Sequence, residues 1–199
     1  MSEIEDIIFL VESLDKCRLG KLEDPAKLEK IVRKLKLGSN IRWKNIKKAL
    51  NDIAGIPRRD PSFKRLNLMT KISEILLLIS IFFPLLFYIF LIFNQYYFIN
   101  SYYFLIPAVI IINISYILRW YTTTKITDIY RKNIDKLIRR GDVLKNEINK
   151  LILILKSRVK KKGISLHNIK MKLYNTDYDN IIVIKKPGKF SSKYTVSLS

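Results

Sequence analysis

A single cysteine, Cys17, and a single histidine, His167, remove whole classes of chemistry from a chain of 199 residues. One thiol forms no internal disulfide and no thiolate metal cluster, and one imidazole makes no two-histidine metal site. Glycine is scarce as well, six in all, and none sits in a phosphate-cradling loop. No nucleophile stands beside an evident base. The expectation is a protein that is not an enzyme, with no catalytic residue, no cofactor and no metal ligand. Cys17 follows an amphipathic stretch and reads as a packed thiol, and His167 reads as a surface residue. Asp177 and Asp179 lack the further oxygen ligands of a calcium loop, and a turn between strands accounts for both.

Charge is the second absence. From Ile75 to Leu118 there is no Asp, Glu, Lys or Arg. Two apolar blocks, 75–93 and 102–118, flank the polar, aromatic link 94–101. At about 1.5 Å rise per residue the blocks reach roughly 28 and 25 Å, close to the ~30 Å of a hydrocarbon core. Basic residues crowd both outer flanks (Arg58, Arg59, Lys64, Arg65 and Lys71; Arg119, Lys125, Arg131, Lys132 and Lys136), and the link has none. The positive-inside rule then places both termini in the cytoplasm. The acidic start, Met1 to Asp6, argues against a cleavable signal peptide. Within such a hairpin Pro84 would deprive the Ser80 carbonyl of its donor, and Asn113 would lie at matching depth on the second span. Ser80, Pro84 and Asn113 are therefore the expected intramembrane polar packing residues, with Asn113 bonded to Ser80.

The expected fold class is thus a mainly α membrane protein. It comprises a two-span transmembrane helical hairpin with cytoplasmic helical extensions, an N-terminal three-helix bundle and a small C-terminal β-meander. Its divisions are a basic bundle over 1–60, the hairpin over 61–121, a helical or coiled-coil arm over 122–162 and a three-stranded module over 163–199. The location that follows is the cell membrane, multi-pass.

The bundle rests on three amphipathic runs. Ile4, Ile7, Ile8, Val11 and Leu14 repeat at three and four, predicting a helix over about 3–16. Asp24-Pro25 supplies an N-cap and a first-turn proline for a second helix, whose stripe of Leu28, Ile31, Val32 and Leu35 runs to Gly38. Ile41, Trp43, Ile46, Leu50 and Ile53 define a third, closed by Gly55.

In the arm a heptad places Thr127, Ile134, Gly141, Ile148 and Leu155 at one set of core positions, and Tyr130, Leu137, Leu144, Leu151 and Arg158 at the other. Since no glycine or proline occurs between Ala108 and Arg140, the second span should run on into this arm as one rod. Beyond Gly163 the period changes to two. Residues 169–173, 181–184 and 194–198 read as strands, the third after the Pro187-Gly188 turn.

A net charge of +20 implies an anionic partner. Lys27, Lys30, Arg33, Lys34, Lys36, Arg42, Lys44, Lys47 and Lys48 form the expected anionic-surface contact, and a bilayer with anionic head groups is the favoured partner. Two basic helices around a glycine turn also admit nucleic acid as a less favoured one, although little base-reading character is present. Residues 126–158 are expected to lie against a partner helix, either the N-terminal bundle of the same chain or a protein partner or second copy of the chain.

The function expected is an integral membrane binding or assembly protein that contacts anionic lipid and a protein partner through its bundle and arm. Alternatives are an oligomeric pore subunit, a membrane-tethered nucleic-acid-binding regulator and a client-receiving insertase. Two spans with a protruding helical pair resemble membrane-protein insertases in architecture, without a shared motif.

Overall fold

The computed structural model describes residues 3–94, 102–188 and 191–199. In chain order the elements are α1 (Glu3–Arg18), α2 (Pro25–Lys34), α3 (Trp43–Arg58), α4 (Phe63–Asn94), α5 (Tyr102–Lys132), α6 (Ile134–Lys161), β1 (Lys170–Leu173), β2 (Ile181–Lys185) and β3 (Tyr194–Leu198). They fall into two compact units, one made of Met1–Ile56 with Asn133–Ser199, the other of Pro57–Lys132.

The first unit is organised by α6. Leu137, Leu144, Ile148, Leu151 and Leu155 are buried along one side of this helix. It packs on α1, whose Ile7, Leu10, Val11 and Leu14 are fully enclosed. Each such side chain contributes roughly 1.5–3 kcal/mol when removed from water. The heptad stripe is therefore filled within the chain from Leu137 to Leu155, whereas Ile134 and Thr127 are exposed. Gly141, at one of the heptad core positions, sits inside the helix and is buried. The side chain of Arg18 crosses it, 3.8 Å from where a Cβ would lie.

A continuous rod from the second apolar block through the arm is not what forms. The helix breaks at Asn133, whose φ of −112° and ψ of 31° lie outside the helical range. Gly55 does not close α3 either. That helix continues through Pro57 to Arg58, with open space around the glycine.

All three expected strands are present, but not as a meander. The order is β1-β3-β2, with β3 antiparallel to both neighbours, Met171 and Val183 flanking Val196. The reason lies in the segment after β1. The backbone N–H groups of Tyr174 and Asn175 donate to the Asp15 carboxylate on α1, so they are not free to form a tight hairpin into β2. The chain instead crosses to the far edge, and β3 returns through the middle. Met171, Leu173, Val196 and Leu198 are buried, while Ile182, Val183 and Ile184 on the edge strand are exposed.

In the second unit α4 and α5 pack together as an antiparallel pair. Buried residues recur every seven along each helix: Leu66, Ser73 and Ser80 on α4, and Ala108, Ser115, Thr122 and Ile129 on α5. Small side chains let the backbones approach, and the Ser115 hydroxyl donates to the Ser73 carbonyl at 2.6 Å. Large apolar groups such as Leu78, Ile81, Phe82, Val109 and Ile114 point outward.

The two-span expectation is corrected here. Among the described residues no helix is long and apolar enough to cross a membrane. Lys64, Arg65, Lys71 and Glu74 occupy the first turns of α4, and Arg119, Lys125, Asp128, Arg131 and Lys132 the last turns of α5, so a large part of each helix is charged. The transmembrane fold class, the multi-pass location and the cytoplasmic placement of both ends lose their basis together. The link, residues 95–101, lies outside the described residues.

Candidate functional site

The basic face of the first unit is built by α2 and α3. Asp24 caps α2 by accepting the Ala26 N–H at 2.9 Å, and Pro25 occupies the first turn. Leu28, Val32 and Leu35 turn inward, as do Ile46, Ala49, Leu50 and Ile53 of α3. What remains outside is the cationic set. All nine of Lys27, Lys30, Arg33, Lys34, Lys36, Arg42, Lys44, Lys47 and Lys48 are exposed.

Several of these have local partners. Glu29 accepts from Arg33 at 2.5 Å and from Lys47 at 3.2 Å, and hydrogen bonds from its neighbours, Arg33 first, hold its carboxyl below the usual range. Lys34 reaches the buried Asp6 at 2.6 Å, and Lys27 lies 4.9 Å from the centre of the Phe9 ring. Lys30, Lys36, Arg42, Lys44 and Lys48 have no ion-pair partner among the described residues. Lys36 takes a left-handed backbone, φ 52°, where the chain leaves α2.

Glu147 of α6 sets the entry to α3. Its side chain is only 5 % exposed, accepts the Arg42 N–H at 2.9 Å and pairs with Lys150 at 2.7 Å. A carboxylate at the start of a helix satisfies a free N–H and complements the helix dipole.

Asp15 is the other buried carboxylate that organises this unit. It accepts from the backbone of Tyr174 and Asn175, from the Asn175 side chain at 2.9 Å and from the Tyr178 hydroxyl at 2.6 Å. Tyr178 in turn accepts from Arg18 at 2.7 Å, and Arg18 grips Asp177 through both terminal nitrogens, at 2.7 and 2.9 Å. Lys145 closes the set, 3.1 Å from Asp177. Burial opposes the Arg18 charge, but Asp177 and Tyr178 overcome it and raise its pKa. The Arg18 hydrogen bond holds Asp177 well below the usual carboxylate range, and burial, then Asp15, pushes Tyr178 above the usual phenol range. This constellation joins α1, α6 and the β1–β2 connection.

Opposite pH dependences follow. Asp177 has a lowered folded pKa, so its contribution is present above about pH 4 and is lost as pH falls below that value. Tyr178 has a raised folded pKa, so its contribution is complete below about pH 10 and is lost as pH climbs beyond it. Denaturant midpoints measured across pH should show the cost of Asp177→Asn shrinking below about pH 4, and that of Tyr178→Phe shrinking above about pH 10. Differences that stay constant through those ranges would contradict the assignment.

Other expected residues are placed apart from one another. Asn113 is exposed and donates to Val109 of its own helix at 2.8 Å, while Ser80 donates to Leu77 at 2.8 Å. The interhelical bond belongs to Ser115, and Pro84 is half-buried inside α4. Cys17 is buried and its thiol is pushed up by burial, which disfavours the reactive thiolate. His167 is exposed on a short 3₁₀ turn, Leu166–Asn168. Asp179 accepts from Asn149 at 2.8 Å, and no group of potential metal ligands occurs among the described residues. Asp15 and Glu147 escaped sequence reasoning, although each interrupts an apolar stripe where a carboxylate needs a buried partner.

No match is found among protein-family profiles, curated proteins or solved structures.

Proposed function

We propose that the chain is a non-enzymatic binding and assembly protein that docks on anionic lipid head groups through the exposed face of α2 and α3. The observation that carries this is the concentration of nine exposed cations on α2, α3 and the connection between them, five of them without an ion-pair partner among the described residues. Near an anionic surface each such cation gains about 1 kcal/mol, within a Debye length of the charge. A protein partner has the outer side of α6 to meet, where Ile138 and Leu153 are exposed, since the inner stripe is occupied by α1.

Nucleic acid is the competing partner, and the helix geometry disfavours it. Helix-turn-helix readers join their helices by about three to four residues. Here α2 ends at Lys34 and α3 begins at Trp43, with a 3₁₀ turn over Leu37–Ser39 between them. Trp43 at the head of α3 is partly enclosed, which removes one of the positions a recognition helix presents to base edges.

The intact chain should co-sediment with phosphatidylcholine vesicles containing phosphatidylglycerol and be released by rising salt. Reversing three of the unpaired cations together, K30E/K44E/K48E, is expected to weaken partitioning by on the order of 100-fold, from about 1 kcal/mol for each. Partitioning insensitive both to salt and to this triple reversal would refute the proposal. Selection of one duplex from a random DNA pool would transfer the surface to nucleic acid.

A further inference from the structure

The second unit holds an open cleft with a volume of about 940 Å³ between the start of α4 and the end of α5. Small-molecule sites fall in the range of ~300–1,000 Å³. Its chemistry is split in two. Leu66, Met69, Ile117 and Leu118 provide an apolar part. One turn further along each helix that surface continues onto Ile72 and Ile114, both exposed.

Ile129, the aromatic Trp120 and Tyr121, and Ser62 also line it, and the remaining six groups are charged. Four cations, Arg65, Lys125, Arg131 and Lys132, face two carboxylates, Asp60 and Asp128. Asp60 is occupied by its own turn, accepting from the Ser62 N–H at 2.9 Å and the Ser62 hydroxyl at 2.5 Å. Asp128 lies 3.7 Å from Arg131, and Lys125 is 5.8 Å from the centre of the Tyr121 ring. Arg65 and Lys132 remain exposed and form no ion pair among the described residues, although Lys132 is near enough to Asp60 to help, after the Ser62 hydrogen bonds, to hold its carboxyl below the usual range.

We propose that this cleft binds a small single-chain amphiphile with an anionic head, of the alkyl phosphate or lysophospholipid class. The head group pairs with Arg65 and Lys132, and the chain lies along Met69 and Leu118 toward Ile72 and Ile114. Neither half of the cleft suits a simpler ligand. An inorganic anion leaves the apolar surface uncovered, and a neutral hydrocarbon leaves Arg65 without a counter-charge and Lys132 with only the turn-bound Asp60. The site is independent of the α2 and α3 face, because it uses none of those residues.

Titration calorimetry of the intact chain with dodecyl phosphate, held below its micelle-forming concentration, tests this. Saturation at one molecule per chain is expected, with affinity reduced tenfold or more in R65Q/K132Q. Both positions are exposed, so the double variant should keep the fold, which circular dichroism verifies. Inorganic phosphate and neutral dodecyl glucoside should each bind at least tenfold more weakly than dodecyl phosphate. Equal affinity for phosphate would mean a plain anion site, and equal affinity for the glucoside would mean apolar adsorption. Either result overturns the proposal, as do binding that never saturates, absence of binding and indifference to R65Q/K132Q.

Discussion

Asp15→Ala is expected to cost about 3–5 kcal/mol of folding stability, the range for removing one member of a buried charged network. The carboxylate is fully buried and accepts from two backbone N–H groups, one side-chain amide and one phenol. Removing it leaves the buried Tyr178 hydroxyl and the part-buried donors of Tyr174 and Asn175 without their acceptor, and a fully buried stranded donor costs roughly 1–3 kcal/mol. Asp15→Asn keeps the shape but turns an N–H₂ toward some of the same donors, so it should also destabilise, by less. Urea unfolding of the three proteins decides the matter. A loss below about 1 kcal/mol for alanine would show that the clamp between α1 and the β1–β2 connection is dispensable.

The second large effect separates the two sides of α6. Leu151 is fully buried in the stripe that packs on α1, whereas Leu153 is 51 % exposed. Leu151→Ala should cost about 2–5 kcal/mol through lost burial and the cavity left behind. Leu153→Ala should stay within about 0.5 kcal/mol, as surface changes do. Unfolding midpoints should be independent of protein concentration, because the partner of the stripe is in the same chain. A midpoint that rises with concentration would place the stripe in an interface between copies.

Much of the helical and strand content was legible in the residues themselves. Ile4, Ile7, Val11 and Leu14 mark α1, and Asp24-Pro25 marks the start of α2 where the cap is found. All three strands lie where the period-two runs are. What failed was the inference from missing charge to a pair of spans. Missing charge says which residues leave water at low cost, but spanning demands a helix that is both long and apolar enough, and among the described residues none is. Small residues carried a signal that was passed over: Ser73, Ser80, Ala108 and Ser115 lie at seven-residue spacing and form the α4–α5 seam, while bulkier neighbours face out.

The remainder depended on partners distant in sequence. A glycine followed by Asp142 resembles a helix stop, yet α6 runs through Gly141, and the break falls at Asn133. The strand order is set by Asp15, on a helix at the other end of the chain. The basic set was legible as composition, but which cations lack ion-pair partners was not. Asp6 takes Lys34 and Glu29 takes Lys47, pairings that exist only once the helices are packed, whereas Glu29 and Arg33 pair one turn apart within α2.

The first unit is assembled from Met1–Ile56 and Asn133–Ser199, so its two halves leave the ribosome at different times. Between them the ribosome must build Pro57–Lys132. At about 5–20 residues per second that interval is roughly 4–15 s, far longer than the microseconds in which a helix forms. For that time α1 has its apolar side formed and nothing from α6 to lay it against. The nascent chain thus carries an unfinished half-core through several seconds of synthesis, long enough for a chaperone to reach it before its own partner does.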